Sequence, residues 1–131
     1  MPELEYFLVA ESCSVDVDRN SLSIFHVMND VRLDRVPGLI PELVIISAWI
    51  HSQEELRGRA ESQIRVQFRL PGLDSTPSFR GNLNAETRFQ NFNFSFREVP
   101  AQTEGDIVVE IFLDDQHKAT HTVAVSTRAP A

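Results

Sequence analysis

The sequence predicts an all-β fold: a single antiparallel β-sandwich, immunoglobulin-like or related, of about seven or eight strands. Three observations carry this. Ile107, Val109, Ile111 and Leu113 alternate with polar positions up to the turn Asp114-Asp115-Gln116-His117, and Ala119, Val123 and Val125 resume the alternation beyond it. Ile64, Val66, Phe68 and Leu70 do the same against Gln63, Arg65, Gln67 and Arg69. No segment carries a helical period. Side chains of a strand point to opposite faces with period two, so such segments bury one face and expose the other.

The elements follow in order. Leu4 to Ala10 is apolar on both parities, which predicts a strand covered on both faces or lying at an interface. Asp18 to Ser21 is a turn by composition, and Leu22 to Met28 resumes a strand, so 4–28 reads as a hairpin. Val31 to Arg35 is a short edge strand. Pro37-Gly38 and Pro41 punctuate the chain, and the apolar run Leu43 to Ile50 is a central strand. Gln53 to Ala60 is a helical turn or a long loop. Ile64 to Leu70 is the clearest half-buried strand, ended by Pro71-Gly72. Residues 71–87 read as a surface loop with a short strand near Phe79. Phe92, Phe94 and Phe96 form a strand with Phe89 out of phase, which places a bulge or the strand start between them. Val99-Pro100-Ala101 breaks into the last hairpin, and 127–131 is a frayed tail.

The 131 residues form one domain, 1–131, of ordinary size. Nine Phe against one Trp and one Tyr supply apolar area with no polar atom to satisfy. Cys13 is the only cysteine, so no internal disulfide forms and nothing points to an oxidising compartment. Acidic residues stand where a signal peptide carries basic ones, and no stretch approaches the roughly 20 apolar residues of a membrane span. These features read as a soluble cytoplasmic protein with no membrane partner. The net charge of −7 argues against a nucleic-acid partner, because phosphate backbones repel it.

Candidate chemistry is sparse. His26, His51, His117 and His121 lack metal-ligand spacing: His117 and His121 would lie about 13 Å apart along a strand. Asp16, Asp18, Asp114 and Asp115 offer calcium-type oxygens if their turns meet, although Asp is also an ordinary turn residue. Arg65 and Arg69 share the solvent face of one strand, where they bind an anion or pair with acids such as Glu110. Cys13 lacks a positioned base, and the chain has no nucleophile elbow, zincin, phosphate-loop or dinucleotide motif. No cofactor, metal or catalytic residue is assigned, and the chain is not read as an enzyme. Phe7, Val9, Val108 and Phe112 are apolar where polar residues belong. If they share a surface they mark a contact site; otherwise a loop such as 71–87 covers them.

The segments Pro2-Glu3-Leu4-Glu5-Tyr6-Phe7-Leu8-Val9-Ala10-Glu11-Ser12 and Leu22-Ser23-Ile24-Phe25-His26-Val27-Met28-Asn29-Asp30-Val31, with the hairpin Ile107 to Val125, resemble a family of short bacterial proteins known as a domain of unknown function. The likeness runs over nearly the whole chain. Its members often carry Asp-Gly at the last turn, where this chain has Asp114-Asp115. The resemblance implies a β-sandwich and carries over no activity or site. The resulting expectation is a non-enzymatic interaction module that binds a protein or itself through an edge strand or through Phe7, Val9, Val108 and Phe112. The alternative is a sandwich that binds a sugar, an anion or calcium through the loop carboxylates or the Arg65/Arg69 face.

Overall fold

The computed structural model describes residues 1–19 and 21–128. Asn20 of the expected turn and 129–131 of the expected tail lie outside the described residues. The strands are β1 (Glu3–Asp16), β2 (Ser21–Val27), β3 (Asp30–Leu33), β4 (Gly38–Ile50), β5 (Glu61–Arg69), β6 (Ser78–Asn84), β7 (Phe89–Ala101), β8 (Gly105–Leu113) and β9 (Gln116–Thr127), with one helix, α1 (Gln53–Gly58). They form a four-stranded sheet, order β2-β1-β4-β7, and a five-stranded sheet, order β3-β9-β8-β5-β6, which curls around the shared core. Pairing is antiparallel except at β3, which runs parallel to β9 and makes the second sheet mixed.

The all-β class stands, with nine strands among the described residues. The expected breaks at Pro41 and Pro100 fall inside strands instead. Proline cannot donate to a ladder, so it is tolerated where one side of the strand has no neighbour. Pro100 is on β7, an edge strand. Pro41 lies where β4 pairs with β7 alone, the β1 ladder having ended at the Ala10–Val44 pair. The segment 53–58 is helical because Ser52 caps it. Its Oγ accepts from the Glu55 N–H at 3.1 Å while Glu55 Oε1 accepts from the Ser52 N–H at 2.8 Å. Arg59, with φ of 49°, ends it in the left-handed region.

The core lies between the sheets. Val9, Leu43, Ile45 and Trp49 of the first meet Ile64, Val66, Ile107, Val109, Ile111 and Leu113 of the second. Ser47, fully buried among them, is satisfied from both sides: its hydroxyl donates to the Phe92 carbonyl at 2.6 Å and accepts from Trp49 Nε1 at 2.9 Å. The predicted phenylalanine column of β7 closes one side of the sandwich. Phe96 packs edge-on to Phe68 with ring centroids 5.0 Å apart, and Phe79 of β6 joins them at 4.7 Å from Phe96. A Cβ at Gly81 of β6 would lie 2.9 Å from Phe92 Cε1, so glycine is what lets the two sheet margins approach. Gly81→Ala therefore forces the Phe92 ring to move. A loss of about 1–3 kcal/mol in urea unfolding is expected, the usual cost of overpacking.

Candidate functional site

The four residues expected to form one apolar surface do not share one. Val9 is fully buried in the core and Phe7 packs against it, both on the inner side of the first sheet. Val108 and Phe112 lie on the outer side of the second sheet, where the Arg65 guanidinium sits 4.0 Å from the centroid of the Phe112 ring. The sandwich separates the two pairs, and that surface is withdrawn.

The apolar surface lies instead on the opposite parity of β1. Tyr6, Leu8 and Ala10 pair across the ladder with Ala48, Ile46 and Val44 of β4, so all six point away from the core. Ala10, Val44, Ile46 and Ala48 are only 0–4% exposed, although every described member of their cluster comes from this sheet itself. They are shielded from the sides by half-buried Tyr6, Leu8, Cys13, Leu22 and Ile24. Ala10 and Cys13 are three apart yet both join the cluster. The alternation of the hairpin changes phase between them, beside His26, whose φ of 58° marks the kink in β2. On the other flank β7 presents Asn91, Asn93 and Ser95, opposite Ala48, Ile46 and Val44. Burial first, then the charge of Glu5, pushes the Tyr6 hydroxyl up from its ordinary value, and the protonated group donates to Asn91 Oδ1 at 3.3 Å. An apolar sheet face with a polar flank is the geometry of a contact surface.

The arginine face has a different character. Arg69 pairs with Glu110 at 3.0 Å, and Arg65 pairs with Asp115 at 3.8 Å while donating to Gln67 Oε1 at 2.8 Å. Arg80 of β6, directly across from Arg65, donates to Gln63 Oε1 at 2.7 Å and has no acidic partner among the described residues. His117 Nε2 lies 3.3 Å from Glu110 Oε2, and His121 Nε2 donates to the Met28 carbonyl at 2.6 Å. The loop carboxylates are engaged locally. Asp16 accepts from the Arg19 N–H at 3.3 Å, and Asp114 accepts from the Gln63 N–H at 2.8 Å. Among the described residues no three His, Cys, Asp or Glu side chains gather as a metal ion requires. Asp18 makes no hydrogen bond or ion pair among the described residues and is exposed in the same β1–β2 turn as Asp16.

One polar cleft of about 300 Å³ lies beside α1, lined by residues that include Glu3, His51, Glu55 and Arg88. His51 is 3% exposed, and its Nε2 contacts Gln90 Oε1 at 2.9 Å. No described helix is long and apolar enough to cross a membrane.

No protein-family model matches the chain, and no curated protein matches it. Among solved structures it is similar to the Pseudomonas fluorescens alkylpurine DNA glycosylase AlkC bound to DNA containing an abasic site analogue. The identity is 8% and the TM-score 0.56, over 95% of this chain and 30% of that one, so the likeness is one of fold. This chain spans less than a third of that protein's length. The finding also corrects the exclusion of nucleic acid. A fold like this one occurs in a protein described on DNA, and a net charge of −7 averages over a surface on which arginines are locally grouped.

The turn that holds Asp114 and Asp115 is a tight two-residue hairpin, with φ of 46° and 65° at the two positions. Both φ values are positive, a conformation in which glycine is favoured at the second position. Asp115→Gly relieves the backbone but gives up the 3.8 Å pair with largely buried Arg65, and is expected to raise the melting temperature by no more than a few degrees, about 0.5–1 kcal/mol. Calorimetry checks it.

Proposed function

We propose that this chain is a non-enzymatic interaction module that docks protein through the outer face of its four-stranded sheet. The observation that carries the reading is the apolar cluster of Ala10, Val44 and Ile46 on the side of the sheet away from the core, ringed by half-buried Tyr6, Leu8, Leu22 and Ile24. The cluster itself is already out of water, so a partner would cover the ring, and burying the exposed part of each of those side chains stabilises a complex by less than the roughly 1.5–3 kcal/mol of full burial. The absence of a histidine in hydrogen-bond contact with Cys13 among the described residues supports a structural thiol rather than a nucleophile. A free cysteine beside the face also supports a cytoplasmic, reducing setting, and the likeness to short bacterial proteins supports a bacterial one.

A photo-crosslinking amino acid at Tyr6 tests the reading in cells. Protein adducts are expected at Tyr6 and not at the same probe placed at Thr122, on the outer face of the other sheet. Equal labelling at both positions, or none at either, removes the proposal.

A second reading is favoured by Arg65 and Arg80 standing side by side next to Phe112, a basic and aromatic row of the kind that contacts nucleic acid. The DNA-bound state of the AlkC structure adds to it. Fluorescence anisotropy with single-stranded and duplex oligonucleotides decides it. Binding that weakens steeply between low and moderate salt, and that Arg80→Glu abolishes, is the expected signature. Binding unaffected by that substitution assigns the contact elsewhere.

A further inference from the structure

Resting on the docking reading of the outer sheet face, we infer that the occupant is a second copy of this chain, packed sheet to sheet about a two-fold axis. The register of the ladders lays out the face in rows. The middle row is Leu8, Ile46, Asn93; it is flanked by Tyr6, Ala48, Asn91 on one side and by Ala10, Val44, Ser95 on the other. One further row at each end holds Glu3, Ile50 and Phe89, and Glu42 with Arg97.

A two-fold axis through the middle row, in the plane between the sheets and across the strands, exchanges the flanking rows. The apolar columns of β1 and β4 then lie on the same columns of the other copy. The amide and hydroxyl column of β7 lies on itself. An isologous interface requires this self-complementarity, because each patch must fit its own image. Amides suit it, since each both donates and accepts. Asn93, in the axial row, has a buried Oδ1 with no hydrogen-bond partner among the described residues, and the two-fold axis sets it opposite its own image. The same operation turns Arg97, which has no ion-pair partner among the described residues, toward the partner's Phe89, a ring 51% exposed whose own Arg88 guanidinium lies 5.3 Å from its centroid.

Charge and area agree with this occupant. The three middle rows carry no charged residue, while the end rows hold two acids, Glu3 and Glu42, and one base, Arg97, so two copies meet on an uncharged centre although each chain bears −7 overall. Three columns about 4.8 Å apart and five rows about 6.6 Å apart give a face on the order of 500 Å² per copy, the size of one side of a small, reversible interface.

Sedimentation velocity on the purified chain, from low micromolar to several hundred micromolar, tests the inference together with a crosslinking arm. The wild type is expected to form a reversible dimer. Leu8→Arg is expected to weaken it by about tenfold or more, with its circular dichroism unchanged. In a Cys13→Ser background, Asn93→Cys is expected to give a covalent dimer with a thiol crosslinker spanning the gap of about 10 Å between packed sheets. Thr122→Cys is expected to give none. The crosslinking arm holds whether or not Leu8→Arg folds. A monomer at every concentration without the Asn93 crosslink overturns the dimer, as does equal crosslinking at Thr122. A monomer that still forms Tyr6 photo-adducts with other proteins overturns the dimer and leaves the docking face standing. A monomer with no adducts removes both.

Discussion

Strand β4 has to bury two apolar faces, and the chain supplies a covering layer for only one of them. Leu43, Ile45 and Trp49 face the second sheet, while Val44, Ile46 and Ala48 face away from it. A strand with β1 on one side and β7 on the other has no third direction in which to hide side chains. Among the described residues the outer ones are sheltered only by their neighbours on the same sheet, which leaves Tyr6, Leu8, Leu22 and Ile24 half-buried around them. The proposed contact surface is thus the remainder of a folding constraint: the pairing that makes β4 central also leaves its second face without a layer among the described residues.

The rest of the molecule is consistent with that division. The inner core is bordered at the β6–β7 margin by interlocked phenylalanine rings and by Gly81, and an apolar groove of about 260 Å³ lined by Phe68, Leu73, Phe79 and Phe96 stays open there. The buried polar atoms of Ser47 and Trp49 satisfy each other, which allows a fully apolar setting around them. The outer face of the second sheet is salted with cross-strand pairs, Arg69 with Glu110 and Arg65 with Asp115, as a water-facing sheet is. The two outer faces therefore differ in kind: the first holds its charges, Glu3, Glu42 and Arg97, at the ends of an apolar and amide centre, and the second carries them across its middle.

Much of the fold is legible in the sequence. The alternation at 64–70 and 107–113 marks two strands with their buried parity, and the run 43–50 marks the central strand. The double parity of 4–10 announces a strand with both faces covered, or an interface. The same signal misleads about which residues form the contact surface. Phe7 and Val9 look out of place only if Tyr6 and Leu8 are taken as core, and the structure assigns the parities the other way. Proline misleads in a similar manner. Pro41 and Pro100 read as breaks because their N–H is missing, yet each sits where no neighbour asks for one. The exclusion of nucleic acid failed for a related reason, since a whole-chain charge carries no information about local grouping.

Period two is a local property, so the sequence by itself determined an all-β chain, most of its strands and the buried side of those in the second sheet. It did not determine which strands lie next to one another, how β3 comes to run parallel to β9, or where the phase change beside His26 turns Cys13 onto the face of Ala10. Those are long-range facts. Whether an apolar residue is core or surface depends on what another strand, distant in the chain, places over it, and only the tertiary structure decides that.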